Sequence, residues 1–163
     1  MLKLNPATVN GKPHNPNNFG ELMKTPRGGG HATQYNNFDK RILEKYGNTS
    51  CRESHWVLTP RDVLPGTRAK SFKDQCTRLG GFQKYRALTL LEAITCVGIE
   101  YVVSGNRLYG DHPWTFTRCE EEIEVGGRKY QVAVGGFGVA GLNVGFSDDR
   151  EYYGLAGSWK VVR

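Results

Sequence analysis

The feature that most constrains the fold is an apolar stretch in the middle of the chain. Between Ala87 and Val97 the apolar residues recur at intervals of three and four, which is the spacing of one face of an α-helix. Eight of these eleven residues are apolar, so the helix is expected to be covered on most of its sides. The pattern predicts a central helix over residues 83–97 that ends at Gly98.

A β-hairpin is the clearest local prediction in the second half of the chain. Gly126 and Gly127 are consecutive, and two glycines suit the positive φ angles of a two-residue hairpin turn. Strands paired around this turn place Ile123 opposite Tyr130, a favourable cross-strand pair. The same register sets the carboxylate of residue 124 against the ammonium group of residue 129.

Further strands are predicted over residues 99–103, 137–146 and 152–162. Nine glycines lie between residues 126 and 157, and a glycine within a strand often marks a bulge or the close approach of another backbone. The connections between these strands are too short for parallel crossovers. We therefore expect an α+β fold in which a Gly-rich antiparallel meander packs on the central helix.

The first 36 residues differ in composition from the rest. They hold four of the seven prolines and six of the ten asparagines, and both residue types compete with regular helices and strands. We predict an irregular, extended and basic arm over residues 1–36 and a single α+β domain over residues 37–163. Within that domain, residues 37–98 are expected to be helical and residues 99–163 to be β-rich.

Two shorter helices are predicted, over residues 38–46 and 71–79. An asparagine before the first is expected to cap it, and Gly47 is expected to end it in a left-handed conformation. Ser71 is a good N-cap for the second. Thr59-Pro60 has the composition of a further helical start of about one turn.

The length of the chain, 163 residues, suits one domain. The sequence contains no run of about 18 apolar residues, so we predict no transmembrane helix and no membrane partner. The first eighteen residues lack the apolar core of a secretory signal. We therefore expect a cytoplasmic protein, in the host-cell cytoplasm if it is viral.

The four cysteines give little indication of a metal site. Cys51, Cys76, Cys96 and Cys119 are widely spaced, and structural zinc sites usually draw their ligands in close pairs. Only Cys51 and His55 approach that spacing. We predict free thiols, no metal and no cofactor.

The charge of the chain is divided unequally between its halves. Residues 1–86 carry 15 Lys and Arg against 6 Asp and Glu, whereas residues 87–163 carry 7 against 10. A positive half next to a negative half either attracts a polyanion or is attracted to the other half of its own chain.

Most of the positive charge lies between residues 52 and 86, where basic and aromatic residues alternate. Basic groups neutralise phosphates, and aromatic rings stack on unpaired bases. Two of the cations would also stand at the N-terminus of the central helix, where the helix dipole disfavours them, and this favours a binding role. We predict a non-enzymatic, nucleic-acid-associated protein that uses these residues. They are Arg52, Arg61, Arg68, Lys70, Lys73, Arg78, Lys84 and Arg86, with Trp56, Phe82 and Tyr85.

Two alternatives remain open. The first is an interaction or assembly protein, such as a viral or mobile-element accessory inhibitor or a virion component, whose arm wraps a protein partner or a second copy of the chain. The second is a small metal-independent nuclease in which two of His31, His55 and His112 transfer protons. Isolated histidines are more often structural, and the sequence contains none of the common catalytic motifs.

Overall fold

The computed structural model describes residues 1–34, 36–82, 84–147 and 153–161. The described residues form an α+β fold, as the sequence predicted. The α-helices in this part of the chain are α1 (Pro16–Lys24), α2 (Lys40–Tyr46), α3 (Phe72–Gly80) and α4 (Leu90–Ser104). The strands are β1 (Leu2–Asn5), β2 (Thr8–Val9), β3 (Lys12–Pro13), β4 (Asn37–Phe38), β5 (His55–Leu58), β6 (Arg86–Ala87), β7 (Phe116–Val125), β8 (Arg128–Gly138), β9 (Gly141–Ser147) and β10 (Gly157–Val161).

The strands are arranged in two four-stranded sheets and one short hairpin. The first sheet has the order β1-β5-β10-β6, with every pair antiparallel. The second has the order β4-β9-β8-β7, in which β7, β8 and β9 form an antiparallel meander and β4 adds in parallel to β9. The hairpin consists of β2 and β3. The predicted meander is thus confirmed, except that one edge strand is parallel and the last strand, β10, belongs to the other sheet.

Helix α4 is the centre of the fold. It contacts β1 of the first sheet, β7 and β8 of the second, and α1. Its residues Ala93, Ile94 and Val97 have no exposed surface. The prediction of a central helix covered on most sides is confirmed. The helix has 15 residues, and no helix within the described ranges is long and apolar enough to cross a bilayer.

The predicted limits of the central helix are wrong at both ends. The Thr89 hydroxyl accepts the Glu92 N–H, and the Glu92 carboxylate accepts the Thr89 N–H, so a capping box starts the helix at Leu90. Residues 86–87 instead pair with β10, a partner about 70 residues away along the chain. Gly105, with φ of 75°, ends the helix. The predicted strand over residues 99–103 is therefore the last part of α4, and Lys84 and Arg86 do not lie at a helix N-terminus.

The prediction of an irregular arm over residues 1–36 is also wrong. β1 pairs with β5, and α1 begins at an Asn15 cap with Pro16 as its first residue. Phe19 and Met23 of α1 are buried against α4. This packing depends on Gly98, because a Cβ there would overlap Met23 Sδ and lie 2.6 Å from Phe19 Cε1. Phe19 and Met23, packed against Gly98, thus hold α1 on α4.

Two predictions that depended only on neighbouring residues, a hairpin turn and a helix cap, were confirmed. β7 and β8 join at Gly126-Gly127, with Ile123 opposite Tyr130 and residue 124 opposite residue 129. α3 starts at Ser71, whose hydroxyl oxygen accepts the Asp74 N–H at 3.1 Å.

Two local predictions were wrong in detail. α2 is capped by Asp39, and Gly47 after it has φ of −57°, so its conformation is right-handed. Thr59-Pro60 does not start a helix. The Thr59 hydroxyl instead donates to the Gly157 carbonyl at 3.0 Å, which ties the end of β5 to β10.

Candidate functional site

Two arginines of the basic stretch are paired with carboxylates from the acidic half of the chain. Arg86 forms a two-point ion pair with Glu92, with Nη2–Oε1 of 2.6 Å and Nη1–Oε2 of 2.9 Å. Its Nη1 also lies 3.4 Å from Glu120. Arg61 lies 3.3 Å from Glu100, which also binds Lys3. Part of the charge asymmetry is therefore neutralised inside the fold.

Glu92 is the centre of this neutralised group. Only 2% of its surface is exposed, and its Oε1 also lies 2.9 Å from His55 Nε2. Burial alone would raise the pKa of the Glu92 carboxyl. The hydrogen bonds and charge of Arg86 outweigh that effect, so the pKa lies below its ordinary value. Glu92 is thus an ionised, buried carboxylate that positions Arg86 and His55.

Other basic residues of the stretch remain on the surface of α3. Gln75 and Leu79 form its buried side, whereas Lys73 and Arg78 are exposed. The Arg78 Nε also donates to the Pro65 carbonyl at 2.8 Å. We define the α3 surface as these two cations together with the exposed side chains just before and after the helix, which are Lys70, Phe82 and Lys84.

The α3 surface also carries one exposed aromatic ring and one carboxylate. Phe82 is 51% exposed and packs edge-on against Tyr85, with ring centroids 6.4 Å apart. Asp74 is the acidic residue of α3, and its carboxylate accepts a hydrogen bond from the Ser71 hydroxyl. The surface therefore combines several exposed cations with an exposed aromatic ring.

Arg52 and Trp56 belong to a different part of the molecule. Arg52 is exposed in the loop before β5. Trp56 is half-buried in β5, where it lies opposite Leu4 of β1. The basic stretch is thus divided among β5, the ion pairs around Glu92 and the α3 surface.

The outer face of the second sheet carries a groove that the sequence analysis did not predict. Two adjoining clefts, of about 320 and 330 Å³, share the side chains of Asn37, Trp114 and Asn143. We call the pair of clefts the sheet groove. Its aromatic wall consists of Trp114, Phe116, Phe146 and Tyr153.

The rings of this wall are held by one another. Trp114 and Phe116 are stacked nearly parallel, with an interplanar angle of 11° and centroids 5.7 Å apart. Phe116 in turn meets Tyr153 edge-on at 4.8 Å. Trp114 nevertheless remains 61% exposed, so a large flat apolar surface faces solvent beside the groove.

Small residues form the floor of the groove. Ala133 of β8 and Gly145 of β9 lie opposite each other in the sheet, and both line the cleft. A Cβ built at Gly145 would have no atom within 4 Å. The hollow therefore exists because two neighbouring strands present little or no side chain on this face.

Polar side chains lie at the edge of the groove. Asn37 Nδ2 donates to Asn143 Oδ1 at 2.8 Å, and Asn143 Nδ2 donates to the Gly136 carbonyl at 2.7 Å. Asp39 forms a two-point ion pair with Arg41. The Arg41 guanidinium also lies 4.7 Å from the centroid of the Phe146 ring, so the carboxylate at this edge is neutralised.

The α3 surface and the sheet groove are neighbours, joined through Arg118. This side chain has no exposed surface. Its Nη1 donates to the Lys70 carbonyl at 2.9 Å, and its Nε donates to the Ser147 hydroxyl at 3.0 Å. Gln75 of α3 donates to the Tyr153 carbonyl at 2.8 Å. The start of α3 is therefore tied directly to the wall of the groove.

Arg68 makes a second connection between the basic stretch and the groove. Its Nη2 donates to the Thr115 hydroxyl at 2.9 Å, and the same atom lies 3.7 Å from Asp62. Thr115 stands between the two stacked rings of the aromatic wall in the sequence. A half-exposed cation is thus fixed to the residue that lies between those rings in the sequence.

The three histidines considered for nuclease chemistry have separate surroundings. His31 lies beside Tyr101, with ring centroids 6.0 Å apart. His55 binds Glu92, whereas His112 is almost fully exposed beside Asp111. No hydrogen bond or ion pair among the described residues joins two of these histidines.

Metal and disulfide chemistry are not built into the described part of the chain. No group of three or more metal-ligating side chains occurs within those ranges. Cys51, Cys76, Cys96 and Cys119 are free thiols, and the last two are buried. Burial raises the pKa of Cys96 to about 12, so that thiol is protonated at neutral pH.

The groove residues come from four separate segments, and this is why sequence reasoning missed them. Trp114 lies two residues before the start of β7 at Phe116, and residues two apart in an extended chain lie on the same face. The glycines in β8 and β9 indicated that another group approaches the backbone there, but they did not identify that group.

Comparison with family models, with curated proteins and with solved structures finds no match.

Proposed function

We propose that this is a non-enzymatic, nucleic-acid-associated protein whose α3 surface contacts the phosphate backbone. The observation that carries the proposal is the exposure of Lys70, Lys73 and Arg78 around one helix, beside the exposed ring of Phe82. Cations on one surface neutralise successive phosphates and release counterions. The four free thiols suit a reducing compartment, so we propose a cytoplasmic location.

Fewer cations are assigned to phosphate contact than the sequence suggested. Arg61 and Arg86 are paired with Glu100 and Glu92, and a cation already held by a carboxylate gains less from a phosphate. Arg68 is partly engaged by Thr115 and Asp62. The phosphate contacts are therefore assigned mainly to the α3 surface.

Removing three charges from the α3 surface is expected to weaken nucleic-acid binding by roughly tenfold or more at low salt, because the electrostatic term supplies most of non-specific affinity. The variant combines Lys70→Gln, Lys73→Gln and Arg78→Gln. A control with the same loss of charge combines Lys12→Gln, Arg128→Gln and Lys129→Gln, all exposed on the two β-hairpins. Fluorescence anisotropy with a labelled oligonucleotide measures both affinities. Equal losses in the two variants would show that only net charge matters and would contradict the assignment.

Self-assembly is a second candidate function, supported by a different observation. β1 is an edge strand of the first sheet, and its Leu2 and Leu4 are exposed, which is typical of a strand that pairs with another chain. In this candidate β1 takes the role that the sequence suggested for an extended arm, since α1 packs on α4. If the chain self-assembles, light scattering should give a mass that rises with concentration, and Leu4→Lys should abolish the rise. A constant monomer mass would rule the candidate out.

A further inference from the structure

We propose that the sheet groove is a base-stacking site, so that the nucleic acid bound by this protein is single-stranded. This inference rests on the proposed function, because it assigns a place to the bases of the strand whose phosphates meet the α3 surface. The α3 surface alone does not distinguish single from double strands, since both carry phosphates. A base-stacking site would favour the single strand.

The aromatic wall provides the stacking surface. Trp114 is the most exposed of its rings, and its parallel contact with Phe116 fixes the plane of the indole. A flat ring bound on the other side of the indole would continue this stack. Every nucleobase has such a flat face, and stacking on aromatic side chains is a sequence-tolerant way to bind unpaired bases. Bases within a duplex are already stacked on each other and are not available to the indole.

The shape of the groove matches a planar ligand at the surface of a sheet. Each cleft, of about 320 and 330 Å³, falls at the lower end of the volumes of small-molecule sites, which run from about 300 to 1,000 Å³. Trp114 borders both clefts, so a strand with one base on the free face of the indole has a neighbouring cleft for the next base. The floor at Ala133 and Gly145 lets a ring approach the backbone of the sheet.

The polar groups at the edge are suited to the edges of bases. Asn37 is exposed, and its Oδ1 makes no hydrogen bond within the described residues. Asp111 lines the cleft of about 320 Å³, and its carboxylate is partly exposed beside His112. Both are acceptors, and the amino groups of adenine, cytosine and guanine are donors. The groove is therefore expected to bind amino-bearing bases more tightly than uracil or thymine.

The charges around the groove agree with a strand that continues onto the α3 surface. Arg41 lies at one edge, with Asp39 neutralised beside it. Arg68 lies beside Thr115, and Lys70 is tied to the opposite wall through Arg118. We expect a backbone that leaves the groove on that side to run toward the cations of α3. Stacked bases and neutralised phosphates are the two components of single-strand binding.

A carbohydrate is the main rival ligand, since the apolar face of a sugar ring also packs on an exposed tryptophan. A neutral sugar makes no use of the α3 cations, whereas a nucleic-acid strand uses the groove and the cations together. The two ligand classes therefore give different results when groove and α3 variants are compared.

The test compares wild type, Trp114→Ala and Gly145→Leu in binding a labelled single-stranded DNA of about twelve mixed bases and the matching duplex. Gly145→Leu is chosen to fill the groove, because a Cβ at this position would have no atom within 4 Å. Val103→Ala, which shortens an exposed apolar side chain on α4, is the control. Both groove variants are expected to lose roughly 5- to 150-fold in single-strand affinity and to keep the wild-type affinity for duplex.

The variant with three charges removed from the α3 surface separates failure of this inference from failure of the proposed function. If it weakens binding while Trp114→Ala and Gly145→Leu bind the single strand like wild type, the stacking site is overturned and the phosphate contacts stand. If removal of the three charges leaves nucleic-acid affinity unchanged, the proposed function itself is contradicted. Binding of a neutral oligosaccharide that depends on Trp114, with no binding of the single strand, would also overturn the inference.

Discussion

Replacing Glu92 by glutamine is expected to lower the free energy of unfolding by about 3 kcal/mol, since breaking a buried ion pair typically costs 3–5 kcal/mol and Arg86 is partly exposed. Three groups depend on this carboxylate, which are the Arg86 guanidinium, the His55 ring and the Thr89 N–H. An amide keeps the shape of the side chain and removes its charge. Denaturant unfolding of the variant and wild type measures the difference.

A control variant and the pH dependence of stability distinguish the buried Glu92–Arg86 ion pair from an ion pair on the surface. Glu122→Gln removes an exposed carboxylate 3.7 Å from Lys129 and should change stability by less than about 1 kcal/mol. The pKa of Glu92 is lowered in the folded protein, so its contribution is present above its ordinary pKa and is lost as the pH falls through the folded value. The difference between wild type and Glu92→Gln should therefore shrink below pH of about 4.5. Equal stability of the two proteins at neutral pH would contradict the account.

Arg118→Met is expected to destabilise the protein by about 3–5 kcal/mol, because each buried acceptor left without a donor costs about 1–3 kcal/mol. The guanidinium is fully buried and donates to the Lys70 carbonyl, to Gln75 Oε1 at 3.3 Å and to the Ser147 hydroxyl. Methionine fills a similar space and supplies no donor. Thermal or denaturant unfolding gives the loss of stability.

Arg107→Met is the matched control for this second prediction. Arg107 is exposed and lies over the Tyr101 ring at 5.4 Å, so its loss should cost no more than about 1 kcal/mol. If Arg118→Met were as stable as Arg107→Met, the link between the second sheet and α3 would not be the structural element described here. The α3 surface and the sheet groove would then be positioned independently of each other.

The sequence predicted the elements that are determined by neighbouring residues. The hairpin at Gly126-Gly127 and the start of α3 at Ser71 need only a turn and a cap, and both were confirmed. The apolar pattern identified α4 as the central helix. It could not set the start of α4, because Ala87 belongs to the apolar pattern and yet pairs with β10.

The candidate site could be predicted only in part, because most of it is assembled from distant segments. The α3 surface lies within one helix and its flanks, so the local density of basic residues indicated it. The sequence could not show that Arg86 is held by Glu92, since pairing within the chain and binding of a polyanion produce the same charge pattern. The stack of Trp114 on Phe116 and the glycine floor become a groove only when β7, β8 and β9 are side by side.

The salt dependence of nucleic-acid binding is the direct test of contact between the α3 surface and phosphates. The association constant for a single-stranded oligonucleotide is measured for wild type and for the Lys70→Gln, Lys73→Gln, Arg78→Gln variant between about 50 and 300 mM salt. We expect the logarithm of the association constant to fall linearly with the logarithm of salt concentration, with a wild-type slope steeper by about 2, because each phosphate contact contributes about 0.7. A wild-type affinity that does not change with salt, or equal slopes for the two proteins, would contradict it.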